Sequence, residues 1–200
     1  EKKTPWTLLT QMKTVCLFCA SLNGKDPLYS EVAKDFGSVL SKHKYSLLYG
    51  GGALGLMGIA AQSAKENNVN VISVIPKYLN KPNIIYSESN EIIETKTLTE
   101  RKEKMIQISD IFVALPGGIG TLDEITDVLS GAALGEHEKP IFLINSNNFW
   151  NPFIDMLEHM KTNGLVRSKG DDNLKQSSLK NLFVVNDLEE LSRHSDFISS

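Results

Sequence analysis

Cysteine is scarce in this chain. Only Cys16 and Cys19 occur in 200 residues. Their C-x-x-C spacing invites a redox or zinc reading, but no second Cys/His pair completes a zinc site. The run TVCLFCAS is β-branched and apolar and reads as a strand, on which positions three apart face opposite sides of a sheet. Both cysteines are therefore expected to be buried structural thiols in a reducing compartment, which implies a cytoplasmic protein. Long apolar runs are missing too. None reaches the ~18 residues of a membrane span, so no membrane partner is expected. The opening EKKTPWTLLTQMKT lacks the apolar core of a signal peptide. Residues 1–13 read as a loose leader or cloning remnant, ahead of one domain spanning 14–200. An excess of basic charge is also absent. Lys and Arg total 21 against 24 Asp and Glu, giving net charge −3, so there is no footprint for nucleic acid. His43, His137, His159 and His194 are scattered and show no metal-ligand spacing. No metal is expected, and His137, on a probable loop, is expected in solvent. No G-x-x-x-x-G-K-[ST] occurs, which excludes a P-loop.

What is present is an alternation. TVCLFC (14–19), YSLLY (45–49), VNVISVI (69–75), DIFVAL (110–115), PIFLI (140–144) and LFVV (182–185) are nearly continuous in apolar residues, as parallel strands buried on both faces must be. Helical patterns lie between them, over roughly 28–42, 55–67, 98–109, 121–134, 149–163 and 187–194. Strand–helix alternation of this kind predicts right-handed βαβ units, hence an α/β fold with a parallel sheet covered by helices on both faces. The segment 76–97 is less regular and suggests a surface loop with a short strand near 91–95. The polar stretch 168–180 suggests a loop. Trp150 is expected to pack the helix over 149–163, whose Phe153, Ile154, Leu157 and Met160 suit core or dimer surface.

In an open parallel sheet, ligands bind outside the carboxyl ends of the strands at the topological switch. With a strand order beginning 3-2-1-4, the loops after the first and fourth strands share that crevice. Those loops are ASLNG (20–24) and PGGIGT (116–121), with GGGALGLMG (50–58) beside them. GGGALG fits G-x-G-x-x-G through Gly50, Gly52 and Gly55, but it follows the second strand, and the next strand ends VISVIPKY without the ribose-binding acid. An NAD site is therefore disfavoured. Tight strand-to-helix packing and ligand contact by Gly51 and Gly52 both remain open. PGGIGTLDE is more specific. Pro116 stops the strand, Gly117, Gly118 and Gly120 allow positive φ and close backbone approach, and Thr121 begins a helix. Free amides, the helix dipole and a hydroxyl make an anion site. A capped helix with acids in its first turn explains Asp123, Glu124 and Asp127, but not three glycines and a proline ahead of the cap. Phosphate binding is favoured.

LTERKEKM (98–105) reads as a helix start, with Thr97 or Thr99 as cap. Arg101, Met105 and Ile108 share one face. An arginine in line with apolar residues points inward and needs a partner. The partner is either a structural carboxylate or a phosphate or transition-state group.

Together FCASLNG, YGGGALGLMG, ERKEKM and PGGIGTLDE, in that order and spacing from about Val15 to Leu165, resemble the LOG (Lonely Guy) family of cytokinin riboside 5′-monophosphate phosphoribohydrolases. Many of its members once carried the label lysine decarboxylase. The resemblance implies a Rossmann-like doubly wound fold and a homodimer with sites near the interface. It implies hydrolysis of the N-glycosidic bond of a purine nucleoside 5′-monophosphate, N6-modified cytokinins included, to free base and ribose 5-phosphate, without cofactor or metal. By position, Arg101 and Glu124 match the family's catalytic pair. Ser21, Lys102 and the segment from Gly118 to Glu124 match nucleotide-binding positions. Asn83 and Ser130 stand where the family usually has Glu and Thr. Two motifs depart from the family. M-H-x-R-K reads Leu98-Thr99-Glu100-Arg101-Lys102, and T-W-A-Q-L-G reads Ser130-Gly131-Ala132-Ala133-Leu134-Gly135, which bears on base selectivity.

Glycosidic cleavage builds positive charge on the sugar. On this reading Glu124 stabilises that charge and orients water. Arg101 orients Glu124 and holds phosphate or sugar hydroxyls. Thr121 and the glycine amides hold the 5′-phosphate, and Asp123 is a first-turn acid. Two other readings stand beside it: a non-catalytic nucleotide sensor on the same fold, and a pyridoxal phosphate decarboxylase with Lys102 as the Schiff-base lysine.

Overall fold

The computed structural model describes residues 12–166 and 179–199. The expected leader lies almost wholly outside them, as does most of the expected loop over 168–180. The chain runs through β1 (Thr14–Phe18), α1 (Pro27–His43), β2 (Ser46–Tyr49), α2 (Gly55–Glu66), β3 (Val71–Pro76), β4 (Glu91–Thr95) and α3 (Leu98–Ile108). It continues through β5 (Ile111–Ala114), α4 (Ile119–Leu134), β6 (Ile141–Ile144), α5 (Asn151–Thr162), β7 (Leu182–Val185), α6 (Leu188–Arg193) and α7 (Ser195–Ser199). The last helix, of five residues, was not read from the sequence.

All seven strands form one sheet, in the order β4-β3-β2-β1-β5-β6-β7. Every pairing is parallel. Val15 of β1 pairs with Leu47 on one side and Ile111 on the other. The switch falls between β1 and β5, the first and fourth strands of the sequence reading, and β4 adds the short strand expected near 91–95 as an edge. Side-chain alternation divides the core in two. Val15, Leu17 and Cys19 face α1, α2 and the C-terminal helices through Phe36, Leu40, Ala60, Leu191 and Phe197. Cys16 and Phe18 face α3 and α4 through Met105, Ile125, Val128 and Leu129, with Trp150 beside them. That is the doubly wound arrangement, with helices on both faces.

Local chemistry fixes the helix ends. Asp26 caps α1 by accepting from the Leu28 amide at 3.0 Å, Pro27 supplies the first helical φ, and Lys44 closes the helix in left-handed conformation. Helices α1 and α2 approach so closely that a methyl group at Gly37 would strike the Ser63–Ala64 backbone of α2. Among the described residues no helix is long and apolar enough to cross a membrane.

The two cysteines are free and buried on opposite faces of the sheet. Burial, and after it the negative charge of Glu124, pushes both thiols up. A thiolate is the reactive form. Neither cysteine should therefore react with Ellman's reagent at pH 8 while the protein is folded, and both should react in denaturant. Rapid labelling of the native protein would return the C-x-x-C pair to a redox role.

Candidate active site

The loops leaving β1, β2 and β5 are stitched together at the carboxyl end of the sheet. The Ala20 amide donates to the Pro116 carbonyl, and the Met57 amide donates to the Ala20 carbonyl, each at 3.2 Å. A side chain at Gly55 would collide with the Ser21–Leu22 backbone. Gly55 (φ 63°) and Gly51 (φ 81°) are the left-handed residues of the GGGALG loop, so its strand-to-helix packing reading accounts for both. The Gly51 carbonyl accepts from the Tyr86 amide, Gly52 bridges Ile85, and the Ala53 amide donates to the Ile84 carbonyl. The irregular segment after β3 thereby lies along the glycine triplet, and Asn83, exposed and left-handed at φ 69°, immediately precedes the contacting residues.

Helix α4 starts two residues earlier than the sequence predicted. Ile119 is its first residue and Gly118, in extended conformation, is its cap, with no side chain capping it. Thr121 is buried within the first turn, against Gly117, where any side chain would collide with it. None of Gly117, Gly118 and Gly120 has positive φ. The chain passes from strand to helix through ordinary conformations and needs no left-handed residue there. What Gly118 and Gly120 provide is bareness: open space lies where their side chains would point. The helix mouth therefore presents uncapped amides and the positive end of the dipole to solvent. The first turn holds no acid. Asp123 and Glu124 belong to the second turn, so the first-turn reading of Asp123 is corrected.

Helix α3 brings the counter-charge. Thr97, not Thr99, is its cap, accepting from the Glu100 amide at 3.1 Å, while the Glu100 carboxylate accepts from the Lys96 amide. This start turns Arg101 and Met105 inward. Arg101 Nη2 donates to Glu124 Oε1 at 2.6 Å, and Glu124 is only 9% exposed. Of the two partners left open for the inward arginine, the structure contains the carboxylate. Arg101 Nε is buried with no hydrogen-bond partner. Gly50 lies beside the guanidinium, since a methyl group there would sit 3.1 Å from Nη1. Burial pushes the Glu124 carboxyl up to about 7. Arg101, the largest opposing influence, pulls it down, Asp123 pushes it up, and Lys102 pulls it down. The Lys102 ammonium is 3.1 Å from Asp123 and 3.6 Å from Asp127.

One end of the sheet thus gathers Ser21, Gly51, Gly52, Arg101, Lys102, Gly117, Gly118, Gly120, Thr121 and Glu124. Asn83 comes alongside through the Ile84–Tyr86 contact. Ser130 does not join them within this chain. It is exposed, six residues beyond Glu124, about 9 Å along the axis and on another face of the helix by ~100° per residue. His137 is not in solvent. It is 9% exposed, with Nε2 bonded to the Val128 carbonyl at 2.9 Å and its ring 5.5 Å from that of Phe112. Burial holds its pKa below the ordinary histidine value. A methyl group at Gly131 would lie 3.4 Å from the ring, already in contact, so a side chain much larger than that would crowd His137. Glycine where the resembled family has Trp therefore leaves room for His137. Asp127, read from sequence only as a first-turn acid, is the second carboxylate on Lys102, and it lies in a later turn of α4; its spacing of four from Asp123 was the available signal. Among the described residues no group of three or more His, Cys, Asp or Glu could hold a metal ion.

A family described as "Possible lysine decarboxylase" matches residues 57–191. The cytokinin riboside 5′-monophosphate phosphoribohydrolase LOG5 of Arabidopsis thaliana is 37% identical over 158 residues, covering 79% of this chain and 69% of LOG5. LOG7 of the same plant, which carries the same enzyme name, is 36% identical, covering 78% of this chain and 72% of its own length. Among solved structures, the molybdenum cofactor binding protein from Rippkaea orientalis superposes with a TM-score of 0.65 at 19% identity, covering 91% of this chain and 94% of that one. At that identity the likeness speaks for the fold alone.

Proposed function

The chain belongs to the LOG family of phosphoribohydrolases, and from that premise we propose that it hydrolyses the N-glycosidic bond of a purine nucleoside 5′-monophosphate. The observation that carries the proposal is the buried Arg101–Glu124 pair, 2.6 Å apart, beside an uncapped helix mouth.

In the proposed reaction the 5′-phosphate sits on the bare amides of Gly118–Thr121, where backbone donors and the dipole favour an anion. Phosphate binding energy then positions C1′ at a distance from the phosphate itself. As the C1′–N bond breaks, its electron pair leaves with the base and positive charge develops on the sugar. The Glu124 carboxylate opposes that charge and takes a proton from the water that attacks C1′, and the departing base takes up a proton at the nitrogen that leaves C1′, so that neutral base and ribose 5-phosphate result. Arg101 spends one donor on Glu124, and its remaining donors are available to sugar hydroxyls or phosphate. A carboxyl poised near neutrality suits a group that must be ionised to act and then receive a proton.

A sensor that only gripped phosphate would leave this pair without a purpose. A decarboxylase would need Lys102 as an amine nucleophile. Burial disfavours the charge on Lys102, but the Asp123 and Asp127 carboxylates outweigh burial and raise its pKa, the opposite of what activates a Schiff-base lysine. Assembly as a homodimer in the cytoplasm belongs to the same reading. The homodimer is supported by α5, which only half-buries Phe153 and Ile154 against the core and leaves Met156 and Met160 exposed. Incubation with AMP and with N6-isopentenyl-AMP should release free base and ribose 5-phosphate. Tight binding of both without release would reject the proposal.

A further inference from the structure

Two rungs join α3 to α4. The inner one is Arg101–Glu124. The outer one is Lys102, whose ammonium bridges Asp123 and Asp127. Position within the family motif would give Lys102 to the nucleotide. Its charge, however, is already taken up away from the helix mouth. Asp123 and Asp127 lie four and eight residues beyond Ile119, about 6 and 12 Å along the axis from the bare amides. The lysine stem lines the groove between the two helices with Phe18, Met105, Ile106 and Val128, and that groove also reaches Glu124. The Lys102 side chain is only 18% exposed, whereas Asp123 is mostly in solvent and Asp127 is half-buried.

Resting on the phosphoribohydrolase reading, we propose that Lys102, Asp123 and Asp127 form a positioning triad that holds α3 on α4 beside Glu124, and that Lys102 is not the phosphate grip. The charged and titratable groups around Glu124 are few. Arg101 and Lys102 face it from α3, Asp123 lies next to it on α4, Asp127 shares its groove, and the thiols of Cys16 and Cys19 approach it from the β1 side. Arg101 belongs to the inner pair and the thiols stay protonated. The outer rung is therefore the adjustable part. Asp123 disfavours the Glu124 carboxylate, and Lys102 favours it while neutralising Asp123.

Removing the two charges must then act in opposite directions. Asp123→Asn deletes a repelling charge and leaves Lys102, still held by Asp127, less neutralised, and both changes favour the carboxylate. Lys102→Met deletes an attracting charge and leaves Asp123 unneutralised, and both changes disfavour it. The test is a carbon-13 NMR titration of the Glu124 carboxyl, assigned by its loss in Glu124→Gln, together with kcat/KM for AMP against pH. Asp123→Asn should lower the Glu124 midpoint by roughly 0.5 to 1 pH unit, and Lys102→Met should raise it by a similar amount. The acid limb of kcat/KM should follow in each case. The second ionisation of the substrate phosphate, near ~6, stays put and cannot imitate opposite movements. Lys102→Arg, which retains the charge, should restore the wild-type midpoint. If Lys102→Met raises KM while the Glu124 titration stays where it was, Lys102 grips phosphate and the triad is wrong. Movement of both variants in the same direction would also overturn it. Wild-type protein that leaves AMP intact would reject the enzymatic reading instead, and the carboxyl titration would still decide the triad.

Discussion

Glu124→Gln is expected to lower the rate of base release from AMP by about 10³-fold, the scale on which removing a positioned base or a charge-stabilising group acts. Glutamine keeps the shape and can still accept from Arg101, so KM should change by only a few-fold, because the phosphate is held at the helix mouth. The same substitution should alter how stability depends on pH. Burial raises the folded Glu124 carboxyl from 4.5 to about 7. The folded state therefore holds a proton that the unfolded state has released between those values, and stability falls as pH rises through that window. The contribution is fully present below about pH 4.5 and is lost above about pH 7. The difference amounts to at most about 3 kcal/mol. Glutamine does not titrate, so denaturant unfolding at pH 5 and pH 8 should show the wild type losing stability relative to the variant as pH rises. A folded variant that releases base at the wild-type rate would remove Glu124 from the chemistry. A stability difference that does not vary with pH would mean that its carboxyl is not perturbed.

Much of this site was legible because parallel strands advertise themselves. A strand buried on both faces has to be apolar throughout, and the segments around Cys16, Leu47, Val71, Phe112 and Phe142 are. Once those strands were read, the rule that ligands bind at the switch selected the loops at Ala20 and Pro116, which are joined by a hydrogen bond in the structure. The inward turn of Arg101 followed from its spacing to Met105. What the sequence concealed were matters of neighbours across elements. Helix α4 begins at Ile119, although glycine is a poor helix former and Thr121 is the first residue with a capping side chain, so local rules delay the start. His137 stands between Glu136 and Glu138, which reads as surface, yet the gap at Gly131 admits its ring. The pairing of Lys102 with Asp127 joins residues 25 apart on two helices, and no periodicity in one segment displays it. Ser130 entered through family position alone, and its place on an exposed face of α4 leaves any substrate contact to an approach from outside this chain.

Replacing Arg101 should have an effect as large as replacing Glu124, through a different route. In Arg101→Met the carboxyl of Glu124 remains buried and loses the partner that pulls its pKa down. Its midpoint must then rise above about 7, and at neutral pH most of the enzyme would carry a protonated, inactive Glu124. Loss of the Arg101 donors to the substrate adds to this, so kcat/KM for AMP at pH 7 should fall by about 10³-fold. A measurable part should return at pH 9, where the carboxyl ionises again. Breaking a buried pair commonly costs about 3–5 kcal/mol because a bare charge is left behind. Here the carboxyl can protonate instead, so the loss of stability should be small at pH 5 and should grow toward pH 9. Arg101→Lys separates the two contributions. An ammonium can keep Glu124 ionised but has no planar fork for sugar hydroxyls or phosphate, so its pH profile should resemble the wild type while its maximal kcat/KM stays low. The buried, unpartnered Nε of Arg101 points the same way. A donor left unpaired inside a protein is costly, and a ligand that supplies an acceptor offsets that cost. Ribose 5-phosphate should therefore raise the melting temperature of the wild type more than that of Arg101→Met. Equal shifts in the two proteins would mean that Arg101 never touches the ligand and serves Glu124 alone.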